Sequence, residues 1–279
     1  MFSVLFNGAS EGFFKSSRGL RQGDPLSPIL FILVTEALYR LISKAVEVRL
    51  LEGWKVASNG PTVPILQFSD DTLLFLSPNT KKMQNLRCLL LMFEAASGLK
   101  INLNKSTIIG MGDCPNLDEM AEIMGCQVGK LPSPYLGLPL RANHKSMDIW
   151  STVIERIERL DAWKGMYLSK GGKLTMLKSV LANLPIYFLS MFSPPQKVIA
   201  RIEHIQRNFL WDTYEGDKRL HLVGWNHICK LETQGGLGVR SIKHVSKALM
   251  MKWLWRFSQE KNSLWQRVIV AKYGVQEKG

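Results

Sequence analysis

The chain has 279 residues, of which 46% are hydrophobic and 21% are charged, so it can form one large or two ordinary globular domains and wholesale disorder is excluded. The 36 Lys and Arg against 23 Asp and Glu give a formal net charge of +13, which favours a polyanionic partner, first a nucleic acid and second a membrane surface. The longest apolar run contains Glu36 and is too short to cross a bilayer, and the opening residues lack a signal-peptide pattern, so we expect a soluble protein.

The positive charge is concentrated in the second half of the chain. Residues 1–141 hold 14 basic and 12 acidic residues, whereas residues 142–279 hold 22 basic and 11 acidic residues. The basic half therefore predicts a surface that grips a polyanion, and the near-neutral half predicts a packed core that can hold chemistry.

The four cysteines show no CxxC spacing, which argues against a structural zinc site. His221, His227 and Cys229 do not match a zinc-ligand pattern either. We therefore expect reduced, partly buried thiols in an intracellular protein.

In chain order, the first predicted elements are a hairpin and a long helix. The segment "FSVLFNG" predicts a short strand that turns at Asn7-Gly8. After the polar loop "SRGLRQGDP", Ser27-Pro28 is typical of a helix start, and the apolar residues that follow predict a centrally buried helix over about 28–45.

The next segment, "ILQFSDDTLLFL", places Asp70 and Asp71 side by side in an apolar run. Burying ionised carboxylates without partners is costly, so the pair must face solvent, form ion pairs or bind metal. The turn chemistry of "SDDT" alone is compatible with an exposed hairpin tip that has no function. A functional interpretation requires both carboxylates to project into one cleft, which a tight turn permits and a straight strand does not.

The remaining pattern predicts an α+β domain followed by an all-α domain. A helix over 80–97 should stop at Gly98, and "LKINLNKSTIIG" and "PYLGLPL" predict strands. Beyond about residue 145, helices are predicted in "SMDIWSTVIERIERLDAWK", in "GGKLTMLKSVLANLPIYFLSMF" with a kink at Pro185, and in "PPQKVIARIEHIQRNFLW". The tail from about residue 213 is basic and rich in tryptophan.

Four motifs in one order resemble a known family: "SRGLRQGDPLSPILF", "QFSDDTLLF", "GLKINLNKS" and "YLGLPL". They are similar to the reverse transcriptase of non-LTR (LINE-type) retrotransposons, especially those of plants, and the resemblance runs over nearly the whole chain. It implies a partial polymerase palm over residues 1–141, with a small antiparallel sheet and helices. A helical thumb over residues 142–212 and a basic, Trp-rich connector over residues 213–279 would follow.

The resemblance assigns the family's catalytic, metal-binding aspartate pair to Asp70 and Asp71. RNA-directed DNA polymerases transfer phosphoryl groups with two Mg²⁺ ions, and Mg²⁺ takes hard oxygen ligands while retaining waters. The implied partners are an RNA template, a DNA primer or RNA–DNA hybrid, and deoxynucleoside triphosphates, with no membrane.

Further roles follow from the resemblance for the loop "RQGDPLSP". Arg21, Gln22 and Gly23 match the part of the family's loop that lies near the incoming nucleotide and the template base, although helix-entry chemistry accounts for the same residues. Asp24 is expected to order the turn rather than to bind metal, and Arg18 and Arg21 are each either a phosphate contact or a solvated loop residue.

Lys105 is the better match, and Lys100 the second, to a lysine that protonates the departing pyrophosphate; an ordinary surface lysine is an equal alternative. Tyr135 and Leu136 match the hairpin that rests against the primer, unless Tyr135 is a core residue. Four lysines fall where a thumb tracks the duplex, namely Lys164, Lys170, Lys173 and Lys178. Five tryptophans either stack on bases or belong to the core, namely Trp211, Trp225, Trp253, Trp255 and Trp265.

The sequence also departs from the family's pattern. The family's metal site uses three aspartates, and the first belongs to a motif upstream of "FSVLFNG". The fingers, the endonuclease and a Cys/His-rich segment likewise have no counterpart here, so we expect a fragment truncated at both ends, with an incomplete two-metal site and exposed apolar palm surface. Such a fragment would be inactive alone and would work with the missing parts of its polyprotein; the alternative is a non-catalytic nucleic-acid-binding remnant of a retrotransposon.

Overall fold

The computed structural model describes residues 2–15, 19–21, 23–143, 146–164, 168–211 and 221–274. The regular elements among these residues are helices and small two-stranded sheets, so the predicted α+β class is confirmed. The chain divides into two compact units, Met1–Gly129 with Arg267–Gly279, and Lys130–Gln266. The palm, thumb and connector boundaries stay predictions.

The first unit opens with an antiparallel hairpin of β1 (Phe2–Phe6) and β2 (Ala9–Phe14). Positive φ angles of 49° at Asn7 and 85° at Gly8 give the type I′ geometry that the Asn-Gly pair predicts. Apolar side chains on both strands lie more than half exposed, namely those of Val4, Leu5, Phe6, Phe13 and Phe14. The expected exposure of apolar surface is thus present in this hairpin.

Helix α1 (Leu26–Glu47) begins two residues before the predicted start. The N-cap residue is Pro25 rather than Ser27, and the Asp24 side chain accepts a hydrogen bond of 2.9 Å from the Leu26 N–H at the helix start. Pro28 is compatible with the first turn, because the N–H groups there have no partner within a helix.

The predicted central burial of this helix is wrong for its N-terminal half. Exposed apolar residues line the first two turns, namely Leu26, Ile29, Leu30, Ile32 and Leu33. Burial begins at Leu38 and continues at Ile42 and Ala45, which share one face by helical periodicity. Only the C-terminal half of α1 therefore belongs to the core.

The rest of the first unit packs around that half of α1. Its elements are β3 (Ile65–Phe68), β4 (Asp71–Leu74), α2 (Thr80–Ser97), β5 (Thr107–Ile108), α3 (Leu117–Met124) and β6 (Gln127–Val128). Helix α2 has the predicted bounds, with the Asn79 side chain accepting a hydrogen bond from the Lys82 N–H and Gly98 ending the helix at φ 74°. Its buried face joins the core with Met83, Leu86, Leu89, Leu90 and Phe93.

The strand predicted in "LKINLNKSTIIG" is largely wrong. Only Thr107–Ile108 is a strand, and it pairs in parallel with β6. The Asn102 carbonyl and side-chain oxygens both accept from the Lys105 N–H at 3.2 Å, so a turn replaces the strand there. Side-chain bonds of asparagine to nearby backbone compete with strand pairing in this way.

The second unit holds a hairpin and a helical core. Its elements are β7 (Ser133–Tyr135), β8 (Leu138–Leu140), α4 (Asp148–Lys164), α5 (Lys170–Met176), a π-helical segment (Leu177–Leu181), α6 (Ile186–Leu189), α7 (Gln196–Trp211), α8 (Trp225–Ile228), α9 (Ile242–Gln259) and the first three residues of α10 (Leu264–Tyr273), whose remainder belongs to the first unit. The predicted apolar stripe on α4 is confirmed, because Ile149, Val153 and Ile157 are buried and Leu160 packs beside them. The single helix predicted to kink at Pro185 is instead divided into α5, the π-helical segment and α6, and α6 starts directly after that proline.

Within the residues that the structure describes, no helix combines the length and the apolar character that a membrane span needs.

All four cysteines are free. Cys114, Cys126 and Cys229 are partly buried as expected, whereas Cys88 is exposed on α2. Burial raises the pKa of the Cys229 thiol to about 11, which makes it a poor nucleophile and metal ligand at neutral pH.

Glu203 on α7 makes stability depend on pH. Burial raises the pKa of its carboxyl above the usual 4.5, although the nearby Arg207 opposes the shift. The folded protein then binds the proton more tightly than the unfolded chain, so stability falls as pH rises from about 4.5 through the folded-state pKa. We expect Glu203→Gln to raise the unfolding midpoint at pH 7 and to change it little at pH 4.

Thermal unfolding of both proteins between pH 4 and pH 8 tests this expectation. Glu155→Gln on α4 is the matched control, because Glu155 is exposed and forms only a surface ion pair with Arg159. A lower midpoint for Glu203→Gln at pH 7 would show that attraction to Arg207 outweighs the cost of burial.

Candidate functional site

The aspartate pair lies at the tip of the β3–β4 hairpin. The strands pair antiparallel with Phe68 opposite Asp71, so Ser69 and Asp70 form a two-residue turn. Of the two turn residues, Ser69 has a positive φ of 53° and Asp70 does not, which is the pattern of a type II′ turn. The sharp turn places Asp70 at the tip and Asp71 at the start of β4.

The base of this hairpin is fixed by the core while its tip is exposed. Ile65 is buried in the core of the first unit, and its partner Leu74 packs against that core. Asp71 lies opposite Phe68, on the other face of the hairpin, where side chains point away from this core. The hairpin therefore presents the two carboxylates on an anchored support.

Asp70 and Asp71 are both exposed, and in the described part of the chain neither carboxylate has a hydrogen-bond or ion-pair partner. By contrast, Glu52 pairs with Lys82, and Glu36 pairs with Arg40. The burial cost that the apolar flanks suggested is thus avoided by turning both carboxylates to solvent. They remain available to a cation.

The pair fits one hard divalent ion better than two. Two carboxylates supply oxygen ligands that suit Mg²⁺, which completes its shell with waters or phosphates. Among the described residues there is no group of three or more His, Cys, Asp or Glu side chains that would enclose a metal. A second ion would need a further acidic ligand.

The predicted nucleotide loop leads into α1. Arg21 is exposed, and its carbonyl accepts a hydrogen bond from the Asp24 N–H at 2.9 Å. Gly23 has a φ of 88°, and a Cβ there would meet no atom within 4 Å, so backbone conformation rather than crowding requires glycine. The predicted turn-ordering role of Asp24 is confirmed by its bond to Leu26. Gln22 and Arg18 lie outside the described residues.

Lys105 and Lys100 are both exposed in the segment that follows α2. Lys105 belongs to the turn before β5, and its backbone N–H is fixed by Asn102. Their placement does not favour one lysine over the other, so the proton-donor role stays a prediction.

The predicted primer hairpin, β7–β8, belongs to the second unit and turns at Leu136-Gly137. Both turn residues have positive φ, 50° at Leu136 and 75° at Gly137, which is type I′ geometry. Leucine rarely adopts such a φ, so the turn is strained unless other contacts hold it. The Tyr187 hydroxyl donates a hydrogen bond of 2.7 Å to the Leu136 carbonyl and supplies one such contact. Tyr135 is half-buried.

Tyr187 is a residue that sequence reasoning missed, because a contact across 51 positions leaves no local pattern. We expect Tyr187→Phe to loosen the β7–β8 turn by about 1 kcal/mol, the net contribution of one hydrogen bond. Backbone amide exchange in the hairpin should then quicken by about fivefold. Tyr39→Phe, which removes an exposed hydroxyl without a described partner, is the control. Unchanged exchange in Tyr187→Phe would mean that the turn is held by other contacts.

The four predicted thumb lysines are not equivalent. Lys173 is buried, with 6% of its surface exposed, and Lys178 pairs with Glu232. Lys170 is exposed at the start of α5, and the Lys164 side chain lies outside the described residues. Lys170 is therefore the best placed of the described three to meet a phosphate.

Sequence comparisons agree with the four motifs. Residues 1–140 match the profile of the family described as reverse transcriptase (RNA-dependent DNA polymerase). A candidate ribonuclease H protein of Arabidopsis thaliana is 38% identical over 141 residues, which are 50% of this chain and 23% of that protein. An uncharacterized mitochondrial protein of the same plant is 53% identical over 73 residues, which are 25% of this chain and 60% of that protein.

A third relative is the retrovirus-related Pol polyprotein of a type-2 retrotransposable element of Drosophila melanogaster. It is 31% identical over 162 residues, which are 58% of this chain and 13% of the polyprotein. The chain thus spans less than two thirds of each of these relatives. The residues matched by the family profile include the hairpin that carries Asp70 and Asp71. The chain belongs to the reverse transcriptase family, in the plant non-LTR retrotransposon branch that its four motifs predicted.

Proposed function

We propose that this chain supplies the aspartate-bearing part of the palm and the thumb of an RNA-directed DNA polymerase. One observation carries the proposal: two adjacent carboxylates without described partners lie at the tip of a hairpin whose base is anchored in the core. That hairpin lies within the residues that match the reverse transcriptase profile.

Reverse transcriptases are generally Mg²⁺-dependent, and Asp70 and Asp71 would hold the ion. The ion would stabilise the developing charge on the oxygens of the reacting phosphate. The core contacts of Ile65 and Leu74 anchor the backbone of the hairpin that carries the carboxylates, and the bound ion would orient their side chains.

The remaining predicted roles belong to the loop before α1, the turn before β5 and the β7–β8 hairpin. Arg21, Gln22 and Gly23 would bind the deoxynucleoside triphosphate, and Lys105 would protonate the leaving pyrophosphate, with Lys100 as the second choice. Tyr135 and Leu136 would support the DNA primer on the RNA template. In this proposal residues 1–141 are the palm, 142–212 the thumb and 213–279 the connector.

Polymerisation by these 279 residues alone is not expected. The proposed pair supplies two of the three carboxylates that the resemblance implies, and no described cluster adds a third. The missing aspartate would come from another part of the polyprotein.

Primer extension on an RNA template tests the proposal. The chain is compared with a longer polypeptide in which a reverse transcriptase segment bearing the upstream aspartate is joined to Met1. Extension by the longer polypeptide, and none by the chain, is expected with Mg²⁺ or Mn²⁺. Absence of extension from both, with nucleic-acid binding intact, would favour the second function.

The second candidate function is non-catalytic binding of nucleic acid. It is supported by the 22 basic against 11 acidic residues of the second half of the chain. Phosphate-dominated binding to an RNA–DNA hybrid should be independent of sequence and should weaken steeply with salt. A filter-binding titration at two salt concentrations measures both properties.

A further inference from the structure

Helix α9 exposes an aromatic and apolar row on its outward face. Trp255, Met251 and Leu254 are 64%, 66% and 74% exposed, which is unusual for side chains of this size. Helical periodicity puts Trp255 and Met251 in one row with Ala248, and Leu254 lies beside that row. The opposite face carries Ile242 and Ser246, which are buried.

Basic side chains flank this row. Residues 242–259 contain no acidic residue, and three exposed lysines belong to the helix, namely Lys243, Lys247 and Lys252. Within the described ranges none of these lysines forms an ion pair. The outward face of α9 therefore combines positive charge with apolar surface.

Trp255 differs from the neighbouring tryptophans in its surroundings. Trp253 donates its Nε1–H to the Ser190 carbonyl at 2.7 Å and packs edge-to-face on Trp265, with 5.8 Å between ring centroids. Arg256 lies over Trp253 and pairs with Glu260, so this arginine belongs to the packed side. In the described part of the chain, the Trp255 indole has no aromatic, cationic or hydrogen-bonding partner, and only the Trp255 backbone carbonyl accepts a hydrogen bond, from the Ser258 hydroxyl at 2.7 Å.

We propose that the outward face of α9 binds single-stranded nucleic acid, with Trp255 stacking on a base and Lys247 and Lys252 contacting phosphates. Stacking on an aromatic ring needs a free base face, which single strands offer and the interior of a duplex does not. The lysines supply charge complementarity to phosphates, and the reverse transcriptase family match favours a nucleic acid over an anionic membrane as the source of those phosphates. The helix is 18 residues long, or about 27 Å, which accommodates a site of about four nucleotides.

This inference rests on the proposed function, because it takes nucleic acid as the partner. It adds that the outward face of α9 is the binding surface and that the bound nucleic acid is single-stranded. Equilibrium binding of the full chain to a fluorescent 12-nucleotide single-stranded RNA, and to the same RNA paired with DNA, provides the test. Trp255→Ala should weaken single-strand binding by about tenfold and hybrid binding by less than twofold. Trp255→Phe should recover most of the loss, because phenylalanine retains a π face.

Two further variants separate base stacking from a general apolar contact and from phosphate binding. Leu254→Ala removes a neighbouring exposed apolar side chain and should leave single-strand affinity within twofold. Lys252→Gln should reduce the slope of log affinity against log salt by about 0.7, the value for one phosphate contact on a single strand. Circular dichroism should show all four variants folded, since each substituted side chain is exposed.

Unchanged single-strand affinity in Trp255→Ala, with wild-type binding intact, would overturn this inference and leave the polymerase proposal standing. Equal losses in Trp255→Ala and Leu254→Ala would also overturn it, because they indicate a general apolar contact such as a protein interface. If the longer polypeptide does not extend a primer but single-stranded RNA is still bound through Trp255, the polymerase proposal alone would be contradicted.

Discussion

Replacing Asp70 by asparagine is expected to lower primer extension by the longer, aspartate-completed polypeptide by at least about 10³-fold. The substitution keeps the size of the side chain and removes a charge that would hold the divalent ion, a loss of several kcal/mol of transition-state stabilisation. Asp71→Asn should behave similarly, because both carboxylates lie at the same hairpin tip. Single-turnover extension with a labelled primer measures the rate.

Asp113→Asn is the matched control, because Asp113 is another exposed aspartate of the first unit, and it should keep the wild-type rate. Nucleic-acid binding by Asp70→Asn should also persist, since few contacts to phosphate are expected from an acidic residue. Extension that survives Asp70→Ala would indicate a contaminating polymerase. Robust extension by the 279 residues alone, lost on Asp70→Ala, would show that two carboxylates suffice.

Replacing Trp150 by alanine is expected to destabilise the second unit by about 3–5 kcal/mol. Trp150 on α4 is fully buried and packs on Phe188, with 5.9 Å between the ring centroids. Truncation removes this contact and leaves a large cavity among Ile149, Val153 and their neighbours. Denaturant unfolding followed by near-ultraviolet circular dichroism measures the change.

Two further variants serve as controls for Trp150→Ala. Trp150→Phe should lower the free energy of unfolding much less than Trp150→Ala, because an aromatic ring still contacts Phe188. It also removes the Trp150 Nε1–H, which is buried without a described partner. Trp255→Ala deletes the same side chain at an exposed position and should change stability by less than about 0.5 kcal/mol. Equal destabilisation by Trp150→Ala and Trp255→Ala would mean that the two rings are buried alike in solution.

Elements that depend on local chemistry were predictable from the sequence. The Asn7-Gly8 turn and the Gly98 helix stop follow from residues that tolerate positive φ. The two-residue turn at Asp70 follows from polar residues between two apolar runs. These signals act within a few residues, so no knowledge of tertiary packing is needed.

Features that depend on distant residues were not predictable in the same way. The exposed first turns of α1 are more apolar than its buried last turns, so apolar composition does not reveal where burial begins. Trp253 and Trp255 are two positions apart, yet helical geometry points them to different sides, one to the carbonyl of Ser190 and one to solvent. The hydrogen bond from Tyr187 that holds the Leu136 turn likewise has no local signature.

The first compact unit is discontinuous along the chain, since it contains Met1–Gly129 and also Arg267–Gly279. The returning segment packs closely there: a Cβ added to Gly60 would lie 3.0 Å from the Ala271 side chain. Deleting the last residues would therefore remove part of the unit that carries the aspartate hairpin, although those residues are more than 180 positions away from it in sequence. C-terminal deletions would then abolish a function that the deleted residues do not themselves perform. Removing Lys130–Gln266 and joining Gly129 to Arg267 through a linker would instead isolate the first unit.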